Sequence, residues 1–255
     1  WVFNEMKATD LQKGLYQLVN QPGPIAKLVI APTGAGKTFG FGALMGNCNN
    51  NLLCYSPANR TSMQDFIGAT TNAGVAVCVV SFEKLKRDDR EKRLVYTSIY
   101  ETMGKAKETT LQGMVDELLK TKKQKRTRYK THLPKIVVCD PSLRSNGISL
   151  VFDEVKMFCR NIASKRTMYP TVVIDDFCAS LEETKISKDV HNIISNEERV
   201  IMLTATPPSN LDILNQARLE KSLLPVTEDK YPKTLGMGVS PFLENGRQHS
   251  LLRNL

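Results

Sequence analysis

An α/β fold, with a mainly parallel sheet and helices on both faces, is what this sequence predicts. Short apolar runs rich in β-branched residues recur along the chain, the pattern of strands buried on both faces. Between them lie longer segments whose apolar residues fall three or four apart, the helical spacing. The first apolar run also leads straight into a glycine-rich turn, APTGAGKT, after which a helical segment begins. Strands alternating with helical connections imply a parallel sheet. Functional loops then belong at the carboxyl ends of its strands.

The elements follow in order. Residues 7–19 read as a helix that Thr9 or Asp10 can cap, with Leu11, Leu15, Leu18 and Val19 on one face. Gln21, Pro22, Gly23 and Pro24 end it. Residues 25–30 are the first strand, and FGFGALMGN after the glycine-rich turn is a helix. LLCYS, residues 52–56, is the second strand, followed by a loop and helix in SPANRTSMQDFIGAT. VAVCVVSF, residues 75–82, is the third. The next segment, 83–134, is long, charged and read as mostly helical, with a strongly basic end. KIVVCD, residues 135–140, resumes the strand pattern. In residues 146–163, Ile148, Val151, Phe152, Val155, Cys159 and Ile162 recur with helical spacing. TVVIDDF, residues 171–177, is a strand running into two aspartates, and RVIMLTATPP, residues 199–208, is the last clear strand. The tail, 209–255, begins with a helical pattern and becomes rich in proline and glycine. No internal repeat is present.

The bulk properties narrow the classes. The 255 residues are 41% hydrophobic and 24% charged, as in ordinary globular proteins. No apolar run approaches the roughly 20 residues that span a bilayer, so no membrane partner is expected. The first ten residues do not resemble a signal peptide, and the chain starts at Trp1, which suggests a processed product or a fragment. The six cysteines are scattered singly, with no CxxC pair to suggest zinc, and Cys78 and Cys139 lie inside apolar runs. Reduced, intracellular chemistry is the simpler expectation, whether cytoplasmic, nuclear or viral. A net charge of +9 favours a polyanionic partner.

The glycine-rich turn has the context a P-loop requires, after a strand and before a helix. Gly34 and Gly36 allow the backbone to curl with its amides inward, forming an anion cradle with the helix N-terminus. Thr33, Gly34, Ala35, Gly36, Lys37 and Thr38 are the expected nucleotide-binding residues. Lys37 is expected on the β- and γ-phosphates of ATP, and the Thr38 hydroxyl on Mg²⁺. Ala31 stands where the general P-loop pattern has its first glycine.

With these residues in view, the chain resembles the superfamily 2 helicases. A-x-x-G-x-G-K-T is the form of their motif I. Their D-E-x-x motif has a counterpart in TVVIDDF, with Asp175 and Asp176, and their S/T-A-T motif in MLTATP, with Thr204, Ala205 and Thr206. Thr204 follows Asp175 by 29 residues, room for one helix and one strand. SPANRTSMQ resembles motif Ia, P-T-R-E-L-A-x-Q, with Pro57 and Gln64 in register and Arg60 displaced by one place. VVCDPSLRS, with Pro141, Leu143 and Arg144, resembles the later T-P-x-x-L segment. The resemblance covers roughly residues 10–210.

It implies a RecA-like ATP-binding lobe over residues 1–210, with the charged insertion at 83–134, and an extension or linker over 211–255. It implies that Asp175 holds Mg²⁺ through water and that Asp176 takes the place of the family's glutamate, which orients and deprotonates the attacking water. Asp176 is one methylene shorter than that glutamate. Thr204 and Thr206 would join nucleotide state to nucleic-acid binding through motif II. Pro57, Arg60, Gln64, Pro141 and Arg144 would face nucleic acid. Gln12 and Gln17 stand upstream, where some relatives carry a glutamine that contacts adenine. A literal D-E pair, Asp153 and Glu154, competes for motif II, but its flanks have helical spacing and it reads as the exposed face of a helix.

The segment KTKKQKRTRYK, residues 120–130, has no counterpart in the family. Its Lys122, Lys123, Lys125, Arg126 and Arg128 can neutralise phosphates of RNA or DNA, and Tyr129 can stack on a base; a solvated charged loop is the other reading. Helicases of this class work between two lobes, and only 47 residues follow Pro208. A second RecA-like lobe, in cis or in trans, is therefore expected to complete the motor.

Overall fold

The computed structural model describes residues 9–44, 51–72, 77–85, 88–99, 107–109, 136–163, 169–175, 187–206, 208 and 211–232. Helix α1, Asp10–Asn20, opens with a capping box: the Thr9 hydroxyl accepts from the Gln12 amide, and the Gln12 side chain accepts from the Thr9 amide. Strand β1, Ile25–Ile30, leads through the glycine-rich turn into α2, Lys37–Leu44. Strand β2, Asn51–Ser56, precedes α3, Arg60–Asn72, which Asn59 caps through the Ser62 amide at 2.9 Å. Strands β3, Val77–Leu85, β4, Asp88–Ile99, and β5, Lys107–Thr109, come next. Strand β6, Ile136–Cys139, continues through a 3-10 turn, Pro141–Leu143, into α4, Arg144–Ala163. The rest is β7, Tyr169–Ile174, α5, Ser187–Asn196, β8, Arg199–Thr204, α6, Leu211–Glu220, and β9, Thr227–Lys230.

The nine strands form one sheet in the order β5-β4-β3-β6-β2-β7-β8-β1-β9. The seven strands from β3 to β9 are parallel, and β4 and β5 add to that sheet as antiparallel neighbours. Alternate residues feed two cores. Ile25, Val29, Leu53, Tyr55, Val173, Ile201 and Leu203 pack with Leu11, Leu15 and Leu18 of α1, Phe41 of α2 and Phe66 of α3. Leu28, Leu52, Cys54, Val172, Val200 and Met202 face the other way, toward Val151, Phe152 and Val155 of α4, Ile193 and Ile194 of α5, and Leu214 of α6. This is the two-faced layering that right-handed crossovers give when strand order reverses within a sheet. The architecture is a RecA-like α/β lobe.

Two expectations change. The segment after residue 82 is not helical where it is described: β4 and β5 are strands. Its charge suggested a helix, but Leu94 and Tyr96 alternate onto the face that carries Phe82 and Val80, and Tyr96 is buried there. Residues 110–135, including Lys122, Lys123, Lys125, Arg126 and Arg128, lie outside the described residues. The sheet also runs past residue 210. Strand β9 pairs in parallel with β1, from Lys27 with Thr227 to Ile30 with Lys230, so this part of the expected extension belongs to the lobe.

Buried arginines tie down the edge of the sheet remote from the glycine-rich turn. Arg199 Nε donates to Thr171 Oγ1 at 2.8 Å, and its other nitrogens donate to the carbonyls of Gln21, Gly23 and Val19. Arg218 of α6 donates to the carbonyls of Leu224, Ile194 and Glu197. Desolvation lowers its pKa, partly offset by Glu197.

Candidate nucleotide site

The carboxyl ends of β6, β2, β7, β8 and β1 lie side by side along one edge of the sheet. The loops they deliver begin at Asp140, Pro57, Asp175, Ala205 and Ala31. Five segments singled out from sequence are therefore neighbours, although 173 positions separate Ala31 from Thr204.

The turn after β1 has P-loop geometry. The Ala31 amide donates to the Thr204 carbonyl at 3.0 Å, which extends the β1–β8 ladder to the last strand residue. Gly34 and Gly36 have φ values of 79° and 82°, the left-handed region that glycine adopts without a Cβ clash. The Gly40 amide donates to the Gly36 carbonyl at 2.8 Å, and α2 starts at Lys37. Its N-terminal amides and dipole favour an anion at this mouth. Lys37 Nζ donates across the turn to the carbonyls of Ala31 at 2.6 Å and Pro32 at 3.1 Å. Thr33 and Gly34 are exposed, and Ala35, Gly36, Lys37 and Thr38 are half-buried.

Asp175 joins the turn from β7. Thr38 Oγ1 donates to Asp175 Oδ2 at 3.1 Å, passing over the end of β8. Tyr55, from β2, donates its hydroxyl to the same oxygen at 2.5 Å. The Asp175 amide donates to the Ser56 carbonyl at 3.0 Å, so the carboxylate is anchored through its backbone as well. Asp175 is only 8% exposed. Burial, then the charge of Asp175, pushes the Tyr55 hydroxyl well above its ordinary pKa, so it stays protonated as a donor. A hydroxyl beside a carboxylate is a hard oxygen pair suited to Mg²⁺, which takes its remaining ligands from water and phosphate. Among the described residues, no group of three or more His, Cys, Asp or Glu is placed to hold a metal without such help.

The other expected residues are placed as follows. The Thr204 hydroxyl donates to the Thr206 carbonyl at 2.8 Å and accepts from the Thr206 amide, forming a tight turn at the end of β8. Pro57 is buried, while Arg60 and Gln64 are exposed on α3. Pro141 opens the 3-10 turn after β6, and Arg144 is the first residue of α4. Leu143 follows Pro141 by two positions, one fewer than in the family's segment, and is buried. Asp176 lies outside the described residues. Asp153 and Glu154 sit in the middle of α4. Asp153 is ion-paired with Lys156, and Glu154 accepts from the Tyr96 hydroxyl.

Tyr55 was not anticipated, although a tyrosine in the otherwise aliphatic or small run LLCYS is a visible irregularity. Gln12 has a clear position. Its amide oxygen is held by the capping box, and its Cγ would lie 2.6 Å from a Cβ at Gly40, so the glycine makes room for it. Its Nε2 would lie 3.9 Å from a Cβ at Gly36. Gln12 thus leans on the P-loop helix, whereas Gln17 is exposed on α1.

Fold and site together define a P-loop domain of the RecA-like class. No protein-family model matches the chain. No curated protein matches it either. Among solved structures it is similar to a Dbp5 variant of S. cerevisiae bound to Nup159, a Gle1 variant, IP6 and ADP. Identity is 12% and the TM-score 0.48, over 90% of this chain and 50% of that one. It is also similar to a Dbp5 variant bound to a Gle1 variant and IP6, at 12% identity and a TM-score of 0.45, over 92% and 48%. The chain spans about half the length of these structures.

Proposed function

We propose that this chain is the ATP-binding lobe of a nucleic-acid-dependent helicase or translocase ATPase, which hydrolyses ATP with Mg²⁺ once a second RecA-like lobe completes it. The observation that carries this reading is the meeting of Thr38 Oγ1 and Asp175 Oδ2 at 3.1 Å at the mouth of a P-loop. In this reading the amides of Thr33–Thr38 cradle the phosphates. Lys37 leaves the carbonyls of Ala31 and Pro32 to contact the β- and γ-phosphates. Thr38 and Asp175 hold Mg²⁺, whose bound form neutralises charge on the phosphates. Asp176 orients and deprotonates the attacking water. Of Gln12 and Gln17, Gln12 is the one that would contact the base, a role its position beside the P-loop helix supports. Arg60, Gln64 and Arg144 belong to the segments that would contact RNA or DNA, with the second lobe, in cis or trans, closing over the γ-phosphate.

Calorimetry on Lys37→Ala tests the reading. Tight ATP binding should be lost while the circular-dichroism melting curve stays close to that of the wild type. Unchanged affinity would remove the P-loop assignment. A second reading has one observation in its favour: aspartate at 176 is a methylene shorter than the base it replaces. On that reading the chain is a hydrolysis-impaired nucleic-acid-binding or scaffold module. ATPase assays with RNA or DNA and the second lobe present separate the two, since only the motor turns over.

A further inference from the structure

We infer that Tyr55 is a positioning residue of the nucleotide site, whose hydroxyl fixes the Asp175 carboxylate for Mg²⁺. This rests on the nucleotide-binding reading above and adds to it a residue that no motif contains.

The geometry has three parts. Tyr55 and Thr38 both donate to Asp175 Oδ2, at 2.5 and 3.1 Å, from opposite sides of the sheet position that β7 occupies. A carboxylate oxygen accepts two donors readily, and two donors from fixed elements set the rotation of the carboxylate about its last bond. The tyrosine ring is itself immobilised. It is completely buried and stacks on Phe66 of α3, with centroids 3.8 Å apart and planes within 6°. Phe66 in turn lies 6.4 Å from Phe41 of α2, the helix that begins with Lys37. The hydroxyl therefore has a set position relative to both the P-loop helix and α3.

A tyrosine that served only the core would leave its hydroxyl toward water or a backbone carbonyl. Here it donates to the Asp175 carboxylate at the mouth of the P-loop. The Thr38 hydroxyl can bind a cation through oxygen and still donate its proton to Asp175. With Thr38 also engaged by a cation, Tyr55 would still hold Oδ2 in place. Preorganisation of this kind lowers the cost of ordering the carboxylate when the cation binds.

Tyr55→Phe tests the inference, because it keeps the ring and its stack and removes only the hydroxyl. ATP binding to the full chain is measured by calorimetry in EDTA and across a Mg²⁺ series. The expected result is unchanged affinity in EDTA and a Mg²⁺ midpoint raised roughly tenfold, as for losing a hydrogen bond to a charged group. Tyr55→Phe and wild-type Mg²⁺ curves that superimpose would overturn the role of Tyr55 and leave the nucleotide site standing. A loss of affinity equal in EDTA and in Mg²⁺ would make Tyr55 merely structural, which also overturns it. Wild-type protein that binds no ATP under either condition would overturn both readings together.

Discussion

Thr38 and Asp175 are 137 positions apart in the chain, yet the hydroxyl of one donates to the carboxylate of the other at 3.1 Å. The contact follows from topology. Strands β1 and β7 flank β8, so residues just past their ends face each other across its tip. Carboxyl-end loops of a parallel sheet collect on one edge in this way wherever the chain reverses its direction of winding.

The same relationship separates the rival acidic pairs. Asp175→Asn keeps the shape but removes the negative charge and replaces one acceptor oxygen by an NH2 donor, and should weaken Mg²⁺-dependent ATP binding by about tenfold or more, since charge-assisted bonds are roughly twice as strong as neutral ones. Asp153→Asn removes only an exposed ion pair with Lys156, worth about 0–1 kcal/mol, and should leave ATP binding unchanged. Calorimetry of both variants decides. An effect at Asp153 and none at Asp175 would transfer the metal role to α4.

Packing around the P-loop helix gives a stability prediction with its own control. A Cβ at Gly42 would meet Thr70 Oγ1 at 2.9 Å and the Phe66 carbonyl at 3.2 Å, where α2 crosses α3. A carbonyl inside a helix cannot swing away. Gly42→Ala should therefore cost about 1–2 kcal/mol, the overpacking penalty less the gain in helix propensity. Gly68, inside α3, has nothing within 4 Å of its Cβ position, so Gly68→Ala should stabilise by up to about 1 kcal/mol. Urea titration of the two variants should show midpoints moving in opposite directions.

Much of this architecture is legible in the sequence, and the exceptions have physical causes. The P-loop could be read because its glycines, lysine and threonine must stand at fixed spacing after a strand. The two cores could be read because buried parallel strands are continuously apolar. Strand β4 reads in the sequence as part of a charged helix. Its first half, DDREKR, has helix-forming composition, and its strand character comes from pairing with β3 and from Tyr96 packing under α4. Strand β9, with the sequence TEDK, carries no apolar signal at all; it exists because β1 offers it a partner. The role of Tyr55 is not legible in the sequence because its partner, Asp175, is 120 positions away.

Arg199 offers a test of what holds the remote edge of the sheet. Its guanidinium satisfies Thr171 Oγ1 and the carbonyls of Val19, Gln21 and Gly23, so it fastens the turn after α1 to β7 and β8. Arg199→Met would fill the volume and leave those acceptors without their donor. A loss of about 2–4 kcal/mol is expected from several buried groups left unsatisfied. ATP affinity measured well below the melting transition should not change, because Arg199 begins β8 and the P-loop meets its far end. Reduced affinity in fully folded Arg199→Met protein would show that the two ends of the sheet are coupled.

The basic segment gives the last prediction. Lys122, Lys123, Lys125, Arg126 and Arg128 fall within seven residues, with no aspartate or glutamate among them. They lie on the connection between β5 and β6, outside the strands that deliver the P-loop and Asp175. If these charges contact phosphates, replacing all five by glutamine should weaken RNA or DNA binding similarly for every sequence tested. Phosphate contacts carry no base information. The slope of log affinity against log salt should become shallower by roughly 0.7–0.9 per lost contact, because each neutralised phosphate releases part of a condensed counterion. ATP affinity should be unaffected, since Lys37, Thr38 and Asp175 are delivered by β1 and β7 rather than by this connection. A salt titration of the quintuple variant beside the wild type decides: superimposable lines would leave the segment a solvated connection with no part in nucleic-acid binding.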